Sequence, residues 1–157
     1  EFDLLKLDAA SRHELSGWIQ LYKQWRHRLH QGLVWRGDAG DGLLWQAHVD
    51  EQAHELLVIV WRTEPSTLRY MPALRLPMLD ASARYRVREI EPQTQQGRKM
   101  HDTTAPWFES LRAPLGVACG SEAHQGAVVH GAWAAEHGLP VPRSKAEHAF
   151  VFHLTRL

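Results

Sequence analysis

The residues that could bind a metal ion are the eleven histidines of this 157-residue chain. His27 and His30 are three positions apart, a spacing that places two imidazoles on neighbouring positions of one helical face. The chain has no His-Glu-x-x-His motif and no Cys-x-x-Cys pair. Because Arg26 and Arg28 flank His27, we interpret this segment as a solvated basic face. The sequence therefore predicts no metal site and no metal cofactor.

Two carboxylates about 5 Å apart are the machinery of retaining glycoside hydrolysis. The acidic residues that could supply such a pair are Asp38, Asp41, Asp50, Glu51, Glu55 and Asp80. They fall in predicted turns or at strand ends, where polar neighbours give no reason for the raised pKa that an acid catalyst needs. The single cysteine, Cys119, stands in an apolar segment that would raise its thiol pKa. We predict structural roles for these residues and no catalytic residue.

The composition excludes several classes of protein. Lys plus Arg and Asp plus Glu number 18 each, so the basic excess typical of nucleic-acid binding is absent. No apolar run reaches the 18 residues of a membrane span. One cysteine cannot form an internal disulfide, which fits a reducing compartment, and we expect the cytoplasm. The sequence begins at Glu1, so we expect the natural amino terminus to precede it.

An amphipathic helix is predicted at residues 9–31. Asp8 is a candidate N-cap, Ser11 and Glu14 have the spacing of a capping box, and Gly32 stands where a helix would end. Apolar residues recur at steps of three and four, which marks one helical face. They are Leu15, Trp18, Ile19, Tyr22, Trp25 and Leu29. Such a stripe must be buried against something, and the rest of the chain is predicted to cover only part of it.

The rest of the chain reads as short strands separated by turn residues. The predicted strands are 33–36, 43–49, 56–61, 67–71, 74–76, 85–90, 128–133 and 149–154. Residues 91–106 are predicted to form a long loop, and residues 107–121 are irregular. This pattern favours a mainly β fold, an antiparallel Greek-key-like β-sandwich preceded by one amphipathic α-helix.

Three stretches resemble glycoside hydrolase family 36, the bacterial-type α-galactosidases. Gly17–Lys23, with the Leu29-His30 pair and Gly32, is similar to the last helix of the family's catalytic barrel. The second and third stretches are similar to the family's carboxy-terminal domain. They comprise Leu74–Asp80 with Tyr85–Val87, and Gly131–Trp133 with Gly138–Pro140, Ala146–Glu147 and Phe150–Leu154.

This resemblance implies that residues 1–32 end a catalytic (β/α)8 barrel and that residues 33–157 form the carboxy-terminal β-sandwich domain. The family's catalytic aspartates belong to the barrel, its nucleophile lies in a Lys-Trp-Asp context, and that tripeptide is absent here. The implied role is to brace the barrel and the parent's homo-oligomer, with the helical stripe as the barrel-packing interface. The implied partners are the barrel of the same polypeptide and, through it, galactosides, whose hydrolysis needs no cofactor.

Two alternatives stay open at this point. Seven tryptophans allow a carbohydrate-binding module. Trp107, beside the long loop, is the weak candidate for an exposed platform, whereas Trp35, Trp45 and Trp61 lie in apolar or alternating runs that predict core positions. An intact small enzyme of another class would need a catalytic constellation that the sequence does not contain.

Overall fold

The computed structural model describes residues 6–68, 71–90, 126–141 and 146–157. The predicted loop at 91–106 and the irregular stretch at 107–121, including Trp107 and Cys119, lie outside these residues. The helices and strands, in chain order, are α1 (Ala9–Leu29), β1 (Leu33–Gly40), β2 (Leu43–Val49), β3 (Glu55–Arg62), β4 (Arg84–Glu89), β5 (Ala127–His130), α2 (Gly131–Glu136) and β6 (Ala149–Arg156).

Helix α1 begins and ends close to the predicted positions. Asp8 is its N-cap, and the carboxylate Oδ1 accepts a hydrogen bond from the backbone N–H of Ser11 at 2.7 Å. That bond lowers the pKa of the Asp8 carboxyl below its usual value, because it favours the charged form. His30 caps the other end by donating its N–H to the carbonyl of Arg26 at 3.2 Å. Gly32 follows with φ +81°, where the chain turns into β1.

The described strands form one six-stranded antiparallel sheet in the order β1-β2-β3-β6-β4-β5. The first three strands are a meander, and the last strand of the chain inserts between β3 and β4. The β1–β2 turn consists of Asp41 and Gly42, both with positive φ, which is the chemistry of a tight two-residue hairpin. The predicted mainly β fold with one amino-terminal helix is confirmed.

The core lies on the inner face of this sheet. Alternate residues of the central strands are buried there, including Trp45 of β2, Val58 of β3 and Phe152 of β6. Leu74 and Leu76, together with Leu139 from the segment after α2, cover this face. Leu74 and Leu139 also exchange backbone hydrogen bonds of 2.8 Å, so the two segments that cover this face are bonded to each other.

Three local predictions are corrected by the structure. The described ends of the predicted strand 67–71 are outside any strand, and the predicted strand 74–76 is reduced to the single bridge at Leu74. The predicted strand 128–133 ends at His130, and Trp133 belongs to α2. Gly131 makes this change of direction possible. A Cβ atom at this position would lie 2.0 Å from the carbonyl oxygen of Asp80, so only glycine fits.

Candidate functional site

The apolar stripe of α1 is only partly covered. No residue of the helix is buried. Ile19 and Tyr22, in the middle of the stripe, keep 43% and 48% of their surface exposed. The other four members, Leu15, Trp18, Trp25 and Leu29, are half-buried. A stripe of large apolar side chains in contact with water is the mark of an interaction surface.

The carboxy-terminal third of α1 lies against the outer face of the sheet. The ring of Trp25 packs on the imidazole of His153 with ring centroids 4.6 Å apart. One turn further on, Arg28 forms an ion pair with Glu55 of β3. Three neighbouring outer-face residues, His48, Leu57 and His153, are register partners across β2, β3 and β6, and all three are buried. The helix therefore packs on a row of three side chains that runs across β2, β3 and β6.

A cleft of about 370 Å³ opens between the end of α1 and the β2–β3 turn. Its helical wall contains Trp25 and Arg28, and its sheet wall contains His48, Glu55 and Leu57. The cleft is thus part of the seam between α1 and the sheet.

A chain of polar contacts joins four elements around His153. Its Nδ1 lies 3.0 Å from Nη2 of Arg88 on β4, and its Nε2 lies 2.7 Å from Oε1 of Glu55 on β3. Burial lowers the pKa of His153 below the usual value, Glu55 opposes this shift, and the positive charge of Arg88 reinforces it. Burial also lowers the pKa of His48, and here the carbonyl of Leu29 opposes the shift.

The acidic residues considered as catalysts are engaged in turns and ion pairs. Asp38 accepts from the N–H of Gly40 at 2.7 Å, and Asp50 accepts from the N–H of Glu55 at 3.0 Å. Asp80 accepts from Ser82 and pairs with Arg156 at 2.8 Å, and these contacts lower its pKa.

The remaining three carboxylates lie near the two hairpin turns. Asp41 accepts from Ser66 and from the buried Arg62. Glu55 pairs with Arg28 and His153, and Glu51 is exposed in the β2–β3 turn.

His27 of α1 and His30, which caps the helix, have different surroundings. The Nε2 atom of His30 is 3.1 Å from the hydroxyl of Tyr22, and His27 is exposed at the edge of the cleft. Within the residues that the structure describes, no three side chains of metal-ligating type come together. Over the same part of the chain, no helix has the length and the apolar character needed to cross a bilayer.

The structure corrects two tryptophan predictions and adds residues that the sequence did not single out. Trp45 is buried as predicted, but Trp35 keeps 42% of its surface exposed because β1 is an edge strand of the described sheet. Trp61 is only half-buried, because it lies on the outer face of β3. His153 and Arg88 were not expected to act together, since 65 positions separate them. Only the register of β4 on β6, which pairs these two residues, brings them side by side.

Comparison with known proteins identifies relatives of this chain. The family model described as the glycosyl hydrolase family 36 C-terminal domain matches residues 44–154. An α-galactosidase of Escherichia coli is 27% identical over 158 residues, a match that covers 99% of this chain and 21% of the relative. The chain thus spans about a fifth of the length of that curated relative.

Solved structures show the same fold. The α-galactosidase AgaA A355E from Geobacillus stearothermophilus, in complex with 1-deoxygalactonojirimycin, matches with a TM-score of 0.68 and 17% identity over 100% of this chain and 17% of its own. The α-galactosidase from Lactobacillus brevis matches with a TM-score of 0.65 and 14% identity over 100% of this chain and 18% of its own. The matched family model describes a C-terminal domain rather than a carbohydrate-binding module, so that alternative is not supported.

Proposed function

Since the chain belongs to the family of glycosyl hydrolase family 36 C-terminal domains, we propose that it is the non-catalytic carboxy-terminal part of an α-galactosidase. In this proposal residues 1–32 complete the catalytic barrel and residues 33–157 form the accessory domain. The parent enzyme is a cytoplasmic homo-oligomer that hydrolyses terminal α-galactosyl groups, and its catalytic aspartates lie outside this chain.

The observation that carries the proposal is the exposed part of the α1 stripe. No residue of this 21-residue helix is buried, and Ile19 and Tyr22, in the middle of its apolar face, are exposed. Fully burying a side chain of this kind stabilises a protein by about 1.5–3 kcal/mol. A barrel that buries Ile19 and Tyr22 would therefore be stabilised by this chain, and this stabilisation is the proposed bracing role.

The engagement of the acidic residues supports a non-catalytic role. Asp38, Asp50 and Asp80 each accept a hydrogen bond from a backbone N–H two to five residues further along the chain. Glu55 is neutralised by Arg28. Carboxylates held in this way serve the local backbone and are poorly placed to attack or protonate a glycosidic bond.

The catalytic side of the proposal is tested with the purified chain alone. The chain is titrated with melibiose and raffinose, tryptophan fluorescence is recorded, and galactose release is measured in the same samples. We expect neither saturable binding nor release, with the α-galactosidase of Escherichia coli as the positive control. Release by a mass-verified chain would place catalytic groups inside it and overturn the proposal, and saturable binding without release would reveal a sugar site.

The bracing side is tested in a chimera. This chain replaces the matched fifth of the Escherichia coli α-galactosidase, and the stripe is altered by Ile19→Glu with Tyr22→Glu. We expect the altered chimera to lose thermal stability and activity together. The matched control is Gln20→Glu with Gln24→Glu, which adds the same charge to exposed positions of the opposite helical face. Equal behaviour of the two chimeras would exclude the stripe as the barrel contact.

A further inference from the structure

The contacts of His153 specify which nitrogen of its ring carries the proton. A guanidinium can only donate, so Arg88, 3.0 Å away, requires Nδ1 to be an unprotonated acceptor. An ionised carboxylate can only accept, so Glu55, 2.7 Å away, requires a hydrogen on Nε2. Both requirements are met by one species, the neutral imidazole with its hydrogen on Nε2.

Every element packed around this imidazole supplies a partner. Helix α1 contributes the ring of Trp25 and the charge of Arg28, and strand β3 contributes Glu55, which bonds both Arg28 and His153. Strand β4 contributes Arg88. On β6 itself, the hydroxyl of Thr155 lies 3.5 Å from Nε2. Two cations and one carboxylate therefore face a side chain that is only 5% exposed.

We propose that His153 is the neutral member of a chain of polar contacts, Arg88–His153–Glu55–Arg28, that holds the carboxy-terminal third of α1 on the sheet, and that protonation of His153 releases this part of the helix. The proposal concerns how α1 is seated and does not depend on what covers its exposed face.

The release follows from where the added proton must go. Because Nε2 already carries a hydrogen, protonation adds one to Nδ1, which points at the guanidinium of Arg88. Arg88 is exposed and can swing into water, but the new N–H donor would then lie beneath Trp25 without an acceptor. The free-energy cost of leaving a buried donor without a partner is larger than the net contribution of a typical hydrogen bond. If the end of α1 moves away from the sheet, water can enter and accept a hydrogen bond from this N–H.

The lowered pKa of His153 agrees with this geometry. Burial and Arg88 both disfavour the imidazolium, and Glu55 offsets them only in part. The contact with Trp25 would attract a cation, yet its contribution is modest beside the cost of a buried, unpaired donor.

The experiment is an NMR titration of the 157-residue chain between pH 8 and pH 5. Long-range ¹H–¹⁵N spectra of the imidazoles report the tautomer and protonation of His153. Amide hydrogen exchange, corrected for intrinsic rates, reports the protection of α1. We expect the Nε2–H tautomer above the transition and a midpoint below the usual histidine value. The protection of residues 22–29 should fall about tenfold at the same midpoint, because one buried hydrogen bond is lost.

Two variants make the result specific. His153→Gln has no titratable ring and should abolish the pH dependence of α1 protection, whereas His13→Gln, at an exposed position of the same helix, should leave it unchanged. Arg88→Met removes the donor to Nδ1 and should raise the midpoint of His153. If His153→Gln fails to fold, the wild-type titration and Arg88→Met still decide the matter.

Several results would overturn the proposal. An Nδ1–H tautomer would show that Arg88 does not bond the ring. Protection of α1 that stays constant through the protonation of His153 would show that this chain of polar contacts does not hold the helix on the sheet. The same pH dependence in a folded His153→Gln variant would assign the release to another group.

Discussion

The hydroxyl of Tyr85 joins two turns that are far apart in the sequence. It donates to the carbonyl of Ala53 in the β2–β3 turn and accepts from the N–H of Asp80, both at 3.1 Å. The side chain is fully buried beneath the sheet. Water cannot replace either bond there, so both backbone groups depend on one oxygen atom.

Replacing this oxygen gives the first prediction. Tyr85→Phe keeps the ring but leaves the Ala53 carbonyl and the Asp80 N–H unsatisfied, and we expect the free energy of unfolding to fall by about 1–3 kcal/mol. Tyr22→Phe is the matched control. The exposed Tyr22 hydroxyl bonds the exposed His30, so this substitution should change stability by no more than about 0.5 kcal/mol. Urea unfolding measures both. Equal effects would mean that the buried hydroxyl is dispensable.

Arg62 is the second residue on which distant segments depend. Its side chain is buried on the inner face of the sheet, where it donates to the carbonyl of Asp41 at 2.7 Å and to that of Glu64 at 3.4 Å. We expect Arg62→Met, which retains the length of the side chain, to destabilise the chain by about 2–3 kcal/mol. Arg75→Met, at an exposed position, serves as the control in the same urea experiment. If Arg62→Met lowers the free energy of unfolding no more than Arg75→Met does, this role of Arg62 is contradicted.

The burial of Arg62 could not be predicted from the sequence. Arg62 follows an apolar strand and precedes a turn, a position at which arginine is normally exposed. Its burial depends on the β1–β2 turn folding over it, which no local pattern records. The strand predicted at 85–90, by contrast, agrees with β4, in which Tyr85 and Val87 are buried on one face and Arg86 and Arg88 lie on the other.

At the level of elements, strong periodicity was predictive and short segments were not. The helix predicted at 9–31 occupies Ala9–Leu29, and the strands at 43–49 and 56–61 agree with β2 and β3 to within one residue. Helix α2 was missed, because six residues are too few to show a helical period and the β-branched pair before it favours a strand. The stripe of α1 was predicted residue by residue, but its seat on His153 required the strand register.

Strand β1 forms an apolar edge of the described sheet. Leu33 keeps 60% of its surface exposed, and Val34 and Trp35 are also exposed. An edge of this kind can pair with another chain. We expect Leu33→Lys to slow heat-induced aggregation, followed by light scattering, while changing the free energy of unfolding by no more than about 0.5 kcal/mol. Thr63→Lys, at an exposed site beyond β3, adds the same charge as a control. If both variants slow aggregation equally, the added charge explains the effect, and the exposed edge strand β1 does not.

The junction of α1 with the sheet makes stability depend on pH. His48 and His153 both have a pKa below the usual 6.5, chiefly because burial disfavours their charged forms. Each therefore contributes stability that is fully present above about pH 6.5 and is lost as the pH falls through the folded-state pKa. We expect urea unfolding of the wild type to show lower stability at pH 5.5 than at pH 7.5.

The control for this dependence removes both titrating groups. A chain with His48→Gln and His153→Gln should lose much less stability between the two pH values, even if its stability at pH 7.5 is lower. His137→Gln, at the exposed C-cap of α2, should behave like the wild type. A double variant that retains the full pH dependence would assign it to other groups.

At the level of the whole molecule, the chain combines a well-packed sheet with a helix that is only half seated. The inner face of the sheet is filled by residues from every central strand and closed by the segments around Leu74 and Leu139. Among the described residues, helix α1 contacts the outer face through its carboxy-terminal third. Such a helix is suited to a junction, because one end is fixed to this domain while its apolar stripe remains open to another.

The exposed part of the α1 stripe predicts how the isolated chain behaves in solution. Ile19 and Tyr22 stand in water, and transferring each into an apolar contact is favourable by up to about 1.5–3 kcal/mol. Two copies can achieve this by packing their stripes together, so we expect the isolated chain to self-associate. Ile19→Glu with Tyr22→Glu should weaken that association more than about tenfold, since about 1.4 kcal/mol is enough for a tenfold change.

Analytical ultracentrifugation over a range of concentrations measures this association, and binding of a hydrophobic dye reports the open face. The charge-matched variant Gln20→Glu with Gln24→Glu should associate like the wild type, because these positions lie off the stripe. A wild-type chain that stays monomeric and does not bind the dye would mean that the stripe is covered within the chain itself. The helix would then need no barrel to complete it, and the bracing role would lose its physical basis.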